Sequence, residues 1–321
     1  MSDSPKTLSR TKFNFDGQTG VFHGKVRDVY TIDNKNIVMI ATDRISAFDV
    51  ILPATIPFKG QILNQLSARL LDQTKDIMTN WLISTPDENV SIGLKAEPLK
   101  IELVIRGCLV GHAWREYSEG KRQLCGVKLP NGLKQYDEFA EPIITPTTKN
   151  DSGHDMDITE QEIISQGLAS GDNWTKIKVL MRKLFARGQE IANTKGLYLA
   201  DSKYEFGMHS GKLMLIDEIH TPDSSRYYYL ESFKDYTGGK KPDLPTHLSK
   251  EFVREWLIDH GFSGQKSQKI PALTDDFVND ISRKYIELYE LLTGDKFIPA
   301  PTDNIVDRIE QNVANALKEI K

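Results

Sequence analysis

At 321 residues, with 27% charged and 39% hydrophobic positions, the chain has the length and balance of a globular protein with a real core, in one large or two to three smaller lobes. The 41 Lys and Arg against 45 Asp and Glu leave a net charge of −4, which excludes a chain-wide basic field for nucleic acid or anionic membrane. No apolar run approaches the roughly 20 residues that span a bilayer, and neither a metal nor a redox spacing relates the two cysteines, Cys108 and Cys125.

From the N-terminus, MSDSPKTLSR lacks the apolar core of a secretory signal, so a cytoplasmic location is expected. VRDVYTI and IVMIAT flank DNKN and predict a β-hairpin. A short strand ending near His23 precedes it, which places Gly24 and Lys25 at a bend. Ile62, Leu63, Leu66, Leu70 and Leu71 repeat at helical spacing, and LKIELVIRG at 99–107 has the content of a buried strand. That strand carries Arg106, a charge that demands a partner. EPIITPTTKNDSGHDMDI, 141–158, predicts a long loop, and a helix capped near residue 172 and closed by Gly196 should follow. Two strands around MHSG come next, then helices near 249–260, 275–293 and 303–320.

LADSKYEFG at 199–207 holds the densest chemistry. In a strand Asp201, Lys203 and Glu205 share one face, while Ser202, Tyr204 and Phe206 line the other. A three-residue hairpin loop at 209–211 would set Lys203 opposite Asp217 and gather Asp201, Lys203, Glu205 and Asp217. Hard oxygen donors of this kind suit Mg2+, with Glu205 and Asp217 as the candidate ligands. The competing expectation is a salt-bridged outer sheet face. A register slip of one residue would turn Asp217 away.

GKVRDVY (24–30), ATDRISAFDV (41–50), IELVIRGCLVGHAWREY (101–117), TPTTK (145–149) with HD (154–155), LADSKYEFG (199–207) and IDEIHTPDSSRY (216–227) occur in one order along nearly the whole chain. On these blocks the sequence resembles the SAICAR synthetase family, the phosphoribosylaminoimidazole-succinocarboxamide synthases, in its longer, yeast-like form. The resemblance implies an α+β fold: an N-terminal antiparallel β lobe that binds nucleotide (1–105), an ATP-grasp-like substrate and metal lobe (106–235), and C-terminal helices (236–321). It implies an ATP- and Mg2+-dependent ligase that joins L-aspartate to the carboxylate of carboxyaminoimidazole ribonucleotide (CAIR), giving SAICAR, ADP and phosphate.

By resemblance, Gly24, Lys25 and Arg27 would approach phosphate, and the strand edge at Glu102 to Val104 would meet adenine. Arg106 and Arg226 would hold the ribonucleotide, with Ser225, Asp49 and Asp201 assisting. Lys149 and Asp155 would stand near the reacting carboxylate and the incoming aspartate. Lys203 would balance charge or touch phosphate, and Asp201 or Asp155 would take the amine proton. Where many members read Gly-Ser, this chain reads Gly111-His112, so His112 would either bind the substrate phosphate or fill the space of the missing hydroxyl. A small-molecule kinase and a non-catalytic nucleotide-binding protein are the competing classes. Small molecules are the expected partners, without nucleic acid or membrane, and a homo-oligomer is left open.

Overall fold

The computed structural model describes residues 5–149, 156–265 and 267–320. In chain order come β1 (Gln18–His23), β2 (Arg27–Ile32), β3 (Asn36–Ala41), β4 (Arg44–Ala47), β5 (Val50–Thr55), α1 (Lys59–Asp72), β6 (Leu82–Asp87) and β7 (Val90–Leu94). Next are β8 (Glu97–Pro98), β9 (Ile101–Cys108), α2 (Gly111–Ser118), β10 (Gln123–Leu124), β11 (Val127–Lys128), β12 (Glu138–Thr148), α3 (Glu160–Ser165) and α4 (Gly171–Thr194). The chain continues through β13 (Leu197–His209), β14 (Lys212–Ile216), β15 (Ser225–Tyr229), α5 (Leu230–Thr237), α6 (Glu251–Asp259), α7 (Asp275–Thr293) and α8 (Ile305–Ile320). Among the described residues, no helix is long and apolar enough to cross a membrane.

Two compact units result, each discontinuous in sequence. One gathers Met1–Leu70, Trp81–Lys95 and Phe252–Lys321; the other gathers Leu71–Asn80 and Ala96–Glu251. The packing departs from the three consecutive spans expected above, because the C-terminal helices join the N-terminal strands. Their apolar stripes give the reason. Ile305, Ile309, Val313 and Leu317 recur every fourth residue on α8 and bury against Tyr30, Val38, Ile40, Val90 and Ile92 of the first unit's sheet, ordered β1-β2-β3-β7-β6. A boundary at 105/106 would also cut β9 in two.

The second unit is built on a six-stranded sheet in which β12, β9, β13 and β14 follow in order and β15 and β8 also pair with β13. β13 is 13 residues long and meets different neighbours along its length. One face of this sheet carries Leu103, Ile105 and Tyr204 and packs against α4. Gly188 of that helix makes the approach possible: a Cβ there would lie 2.5 Å from the His220 ring, whose Nε2 is 2.6 Å from the Tyr204 hydroxyl oxygen.

Three local expectations change. The start of α4 is capped by the Ser170 hydroxyl, which accepts from the Asn173 amide at 3.2 Å, and not by a side chain at 172. EPIITPTT is strand β12 and not loop; β12 lies on the outer side of β9, where proline costs no ladder donor, and the register shifts between Glu138 and Ile143, around Pro142. The hairpin after β13 turns through Ser210 and Gly211 alone, pairing His209 with Lys212 and Glu205 with Ile216. Both turn residues have positive φ, +49° and +75°, as a two-residue hairpin turn of this hand requires.

Candidate active site

The other face of the second unit's sheet is polar. β9 contributes Glu102 and Arg106, β12 contributes Thr145, and β13 contributes Asp201, Lys203 and Glu205. Their alternation follows from a continuous register in which Asp201 faces Arg106 and Lys203 faces Val104. Two clusters of opposite sign lie along this face.

In the first, Lys203 Nζ lies 2.5 Å from Glu205 Oε1, 3.3 Å from Glu102 Oε1 and 3.8 Å from Asp217 Oδ2. Lys149, which follows β12, pairs with Glu205 Oε2 and stands 4.0 Å from Glu102. The slipped register should have turned Asp217 away, yet β14 ends at Ile216 and Asp217 takes φ +61°, which brings its carboxylate back toward Lys203. Burial alone would raise the Glu205 carboxyl, but Lys203 and Lys149 hold it well below the usual range. Burial works against the Lys203 charge too, and Glu205, Glu102 and Asp217 override it, so this ammonium stays protonated. Glu102 enters the site through its carboxylate. The expected strand edge at Glu102 to Val104 is largely closed, since β12 pairs with all three residues and β13 pairs with Leu103 and Val104.

The second cluster is built on guanidinium. Asp201 Oδ2 accepts from Arg106 Nη1 at 3.1 Å and from Arg226 Nη1 at 2.5 Å. Arg106 Nε donates to Thr145 Oγ1 at 3.0 Å. Arg226 Nε and Nη2 donate to Glu251 Oε2 at 3.2 and 2.8 Å, and Arg115 Nη1 donates to Glu251 Oε1 at 3.0 Å. Burial lowers the Arg106 pKa, opposed by Asp201, and Arg226 is raised by Asp201 and Glu251 against its burial. The Arg226 guanidinium lies over Gly111, where a Cβ would come within 2.4 Å of Cζ, so only glycine fits at that first position of α2. The cap residue of α2, Val110, supplies no side-chain acceptor to the amides of the first turn, which also lack partners within the helix.

Ser225 is not brought to this face. It sits directly opposite Ser202, donates to the Ser202 hydroxyl at 2.9 Å, and is 4% exposed. Asp201 is held by two guanidinium groups and anchors both. His112 is exposed beside Glu116 and Asp157, and their ligand atoms lie within 4.8 Å of one another; Glu116 is ion-paired with Lys121. Asp155, together with His154, lies outside the described residues. Thr145, Arg115 and Glu251 escaped the sequence reading. Alternation along TPTT could have pointed to Thr145, whereas nothing local marks the other two.

In the first unit, Gly24 to Arg27 form the expected bend between β1 and β2, with the Gly24 amide donating to the Arg27 carbonyl at 2.8 Å. A Cβ at Gly24 would meet that carbonyl at 3.1 Å. Arg44 fixes the bend by donating to the carbonyls of Gly24 (2.9 Å) and Lys25 (3.0 Å) and pairing with Asp28 at 2.8 Å. Lys25 pairs with Asp49, so these two predicted residues do meet, each about half exposed, at 49% and 46%. An ion pair so exposed contributes little to stability and leaves both groups within reach of a ligand.

Residues 20–271 match the model of a family described as SAICAR synthetase. The chain belongs to the SAICAR synthetase family. A phosphoribosylaminoimidazole-succinocarboxamide synthase of Bacteroides fragilis is 53% identical over 96% of this chain and 98% of its own length. The SAICAR synthase of Saccharomyces cerevisiae, solved with SAICAR bound, superposes with a TM-score of 0.75 at 31% identity, covering 91% of this chain and all of that one. A further SAICAR synthetase structure, in complex with ADP, gives a TM-score of 0.68 at 25% identity over 87% of this chain and all of that one. The α+β fold of mixed helices and antiparallel sheets is the one these structures share with it.

Proposed function

We propose that this SAICAR synthetase divides its chemistry between the two clusters of the polar sheet face. The reaction joins L-aspartate to the CAIR carboxylate and consumes ATP, giving SAICAR, ADP and phosphate. A carboxylate resists an amine at neutral pH because its oxygen leaves poorly. Phosphorylation converts that oxygen into a leaving phosphate: the γ-phosphoryl group passes from ATP to the carboxylate, ADP departs, the aspartate nitrogen bonds to the acyl carbon, and the C–O bond to phosphate breaks.

The observation that carries this reading is the pairing of a carboxylate-rich cluster with a guanidinium-rich one on a single rigid sheet. Arg106, Arg226 and the uncapped start of α2 combine fork-shaped donors with the positive end of a helix, the set that recognises a phosphate monoester. They are assigned to the ribonucleotide phosphate, with His112 beside them and Asp201 fixing both guanidiniums. Lys203 and Lys149 supply fixed positive charge to the transferring phosphoryl group and the acyl phosphate. Lys25 and Arg27, at the bend of the first unit, are assigned to ATP phosphates, and Asp49 adjusts Lys25.

Glu205, Asp217 and Glu102 present the hard oxygen donors that fit Mg2+, and their negative charge exceeds that of the two ammoniums among them. The ion, when bound, supplies charge neutralisation at phosphate oxygens. Glu205 and Asp217 remain the assigned ligands, and Glu102 joins them as an orienting carboxylate. The base for the amine is assigned to Asp201 or Asp155. The site calls for small-molecule partners and a cytoplasmic setting, where its nucleotide substrates reside.

Incubation with ATP, Mg2+, CAIR and L-aspartate, with each omitted in turn and SAICAR measured by mass spectrometry, tests the reading. Product should require all four components. ADP release without aspartate, leaving a stable phosphorylated product, would instead identify a kinase.

A further inference from the structure

We infer that Glu251 is a positioning residue for substrate binding, holding one edge of the Arg226 guanidinium so that its remaining N–H groups face the phosphate of the ribonucleotide. This rests on the assignment of Arg226 to that phosphate. Arg226 has five N–H donors. Nε and Nη2 each direct one to Glu251 Oε2, at 3.2 and 2.8 Å, and Nη1 directs one to Asp201, at 2.5 Å. One hydrogen on Nη1 and one on Nη2 are left for a ligand.

The arrangement needs a carboxylate at 251. Glu251 is only 5% exposed, and a buried charge of this kind persists only where cations compensate it. Its second oxygen is held by Arg115, which projects from α2, the helix whose open first turn faces the same ligand. Glu251 thereby ties the Arg226 fork to the helix start. Gly111 offers no side chain to restrain the guanidinium that lies across it, so the plane of the fork is set by Asp201 on one side and Glu251 on the other. A neutral side chain at 251 would keep the shape and lose the grip.

Steady-state kinetics of the full-length protein decide the matter, with KM measured separately for CAIR, ATP and L-aspartate. Glu251→Gln should raise the CAIR KM about tenfold, the scale of a charge-assisted bond, while kcat and the ATP KM stay within about twofold. Glu251→Asp, which restores the charge on a shorter arm, should recover about a third of the loss on a logarithmic scale. A CAIR KM within about twofold of wild type, or an equal rise in the ATP KM, would overturn the inference. Should Glu251→Gln fail to fold, Arg115→Gln takes its place, because the Arg115 side chain is 37% exposed. It should raise the CAIR KM about threefold, and no change there would equally overturn the inference. Wild-type protein that makes no SAICAR from the four components overturns the underlying assignment, whereas a competent wild type with an unaffected variant overturns only the role of Glu251.

Discussion

The two charge clusters of the second unit stand on the same sheet face and are built on different cations. Around β13's far half, the ammoniums of Lys203 and Lys149 sit among Glu102, Glu205 and Asp217, so carboxylates outnumber cations by one. Around Asp201, the guanidiniums of Arg106, Arg226 and Arg115 outnumber the carboxylates of Asp201 and Glu251 by one. The first has the excess suited to a cation and the second the excess suited to an anion. The side-chain types agree with that division. An ammonium is a compact point charge without a preferred plane of approach, while a planar guanidinium gives directional, two-pronged recognition of a group that stays put. On the proposed division, chemistry and substrate grip are separate on this face, and substitutions should separate them.

The largest effect is expected at Glu205. Glu205→Gln removes the carboxylate shared by both ammoniums, and kcat should fall about a thousandfold, with the CAIR KM nearly unchanged and the circular dichroism spectrum intact. A rise in the CAIR KM as large as the fall in kcat would merge the two clusters into one. Arg226→Lys should act in the opposite sense. It keeps the charge and loses the fork, so the CAIR KM should rise about 10- to 100-fold with a smaller change in kcat. A purely kcat effect in that variant would break the division from the other side.

How much of this was legible beforehand depends on the range of the signal. The common face of Asp201, Lys203 and Glu205 follows from a two-residue period within one strand, and it held. The partner strand's register depended on a turn of two or three residues, which MHSG does not decide. Asp217 reached Lys203 by a positive-φ step that no periodicity encodes. The two prolines of EPIITPTT hid β12, because their tolerance depends on lying at the side of the sheet, a tertiary fact. Ile305, Ile309, Val313 and Leu317 announced a helix without naming the sheet it covers. Glu251 lies 25 residues beyond Arg226, and only the folded chain brings them together.

A subtler test uses His112, whose imidazole is pushed below its ordinary 6.5 by partial desolvation and, next, by Arg106, with Glu116 and Asp157 opposing. Its folded-state value is therefore lower than its unfolded one. The associated stability is fully present above pH 6.5 and is lost as the pH falls through the depressed value, so the window lies below 6.5. A phosphate dianion held by Arg106 and Arg226 should reverse part of the push and raise the His112 value. Titration of the His112 ring proton by NMR, with and without CAIR, reads this directly. A value that CAIR leaves unmoved would place the anion elsewhere and remove His112 from the guanidinium cluster's field.

The smallest expected effect concerns Ser225, which the motif alone placed with Arg226. Adjacent residues of a strand face opposite ways, and β15 obeys: Arg226 turns to Asp201 while Ser225 turns to Ser202. Ser225→Ala should change the CAIR KM by less than about twofold and cost about 1 kcal/mol of stability, the net worth of one buried hydroxyl hydrogen bond. Urea unfolding measured beside the CAIR KM separates the two quantities. A tenfold KM rise with unchanged unfolding would mean that the hydroxyl reaches the substrate, and the assignment of the polar face to binding and the α4 face to packing would then fail at β15.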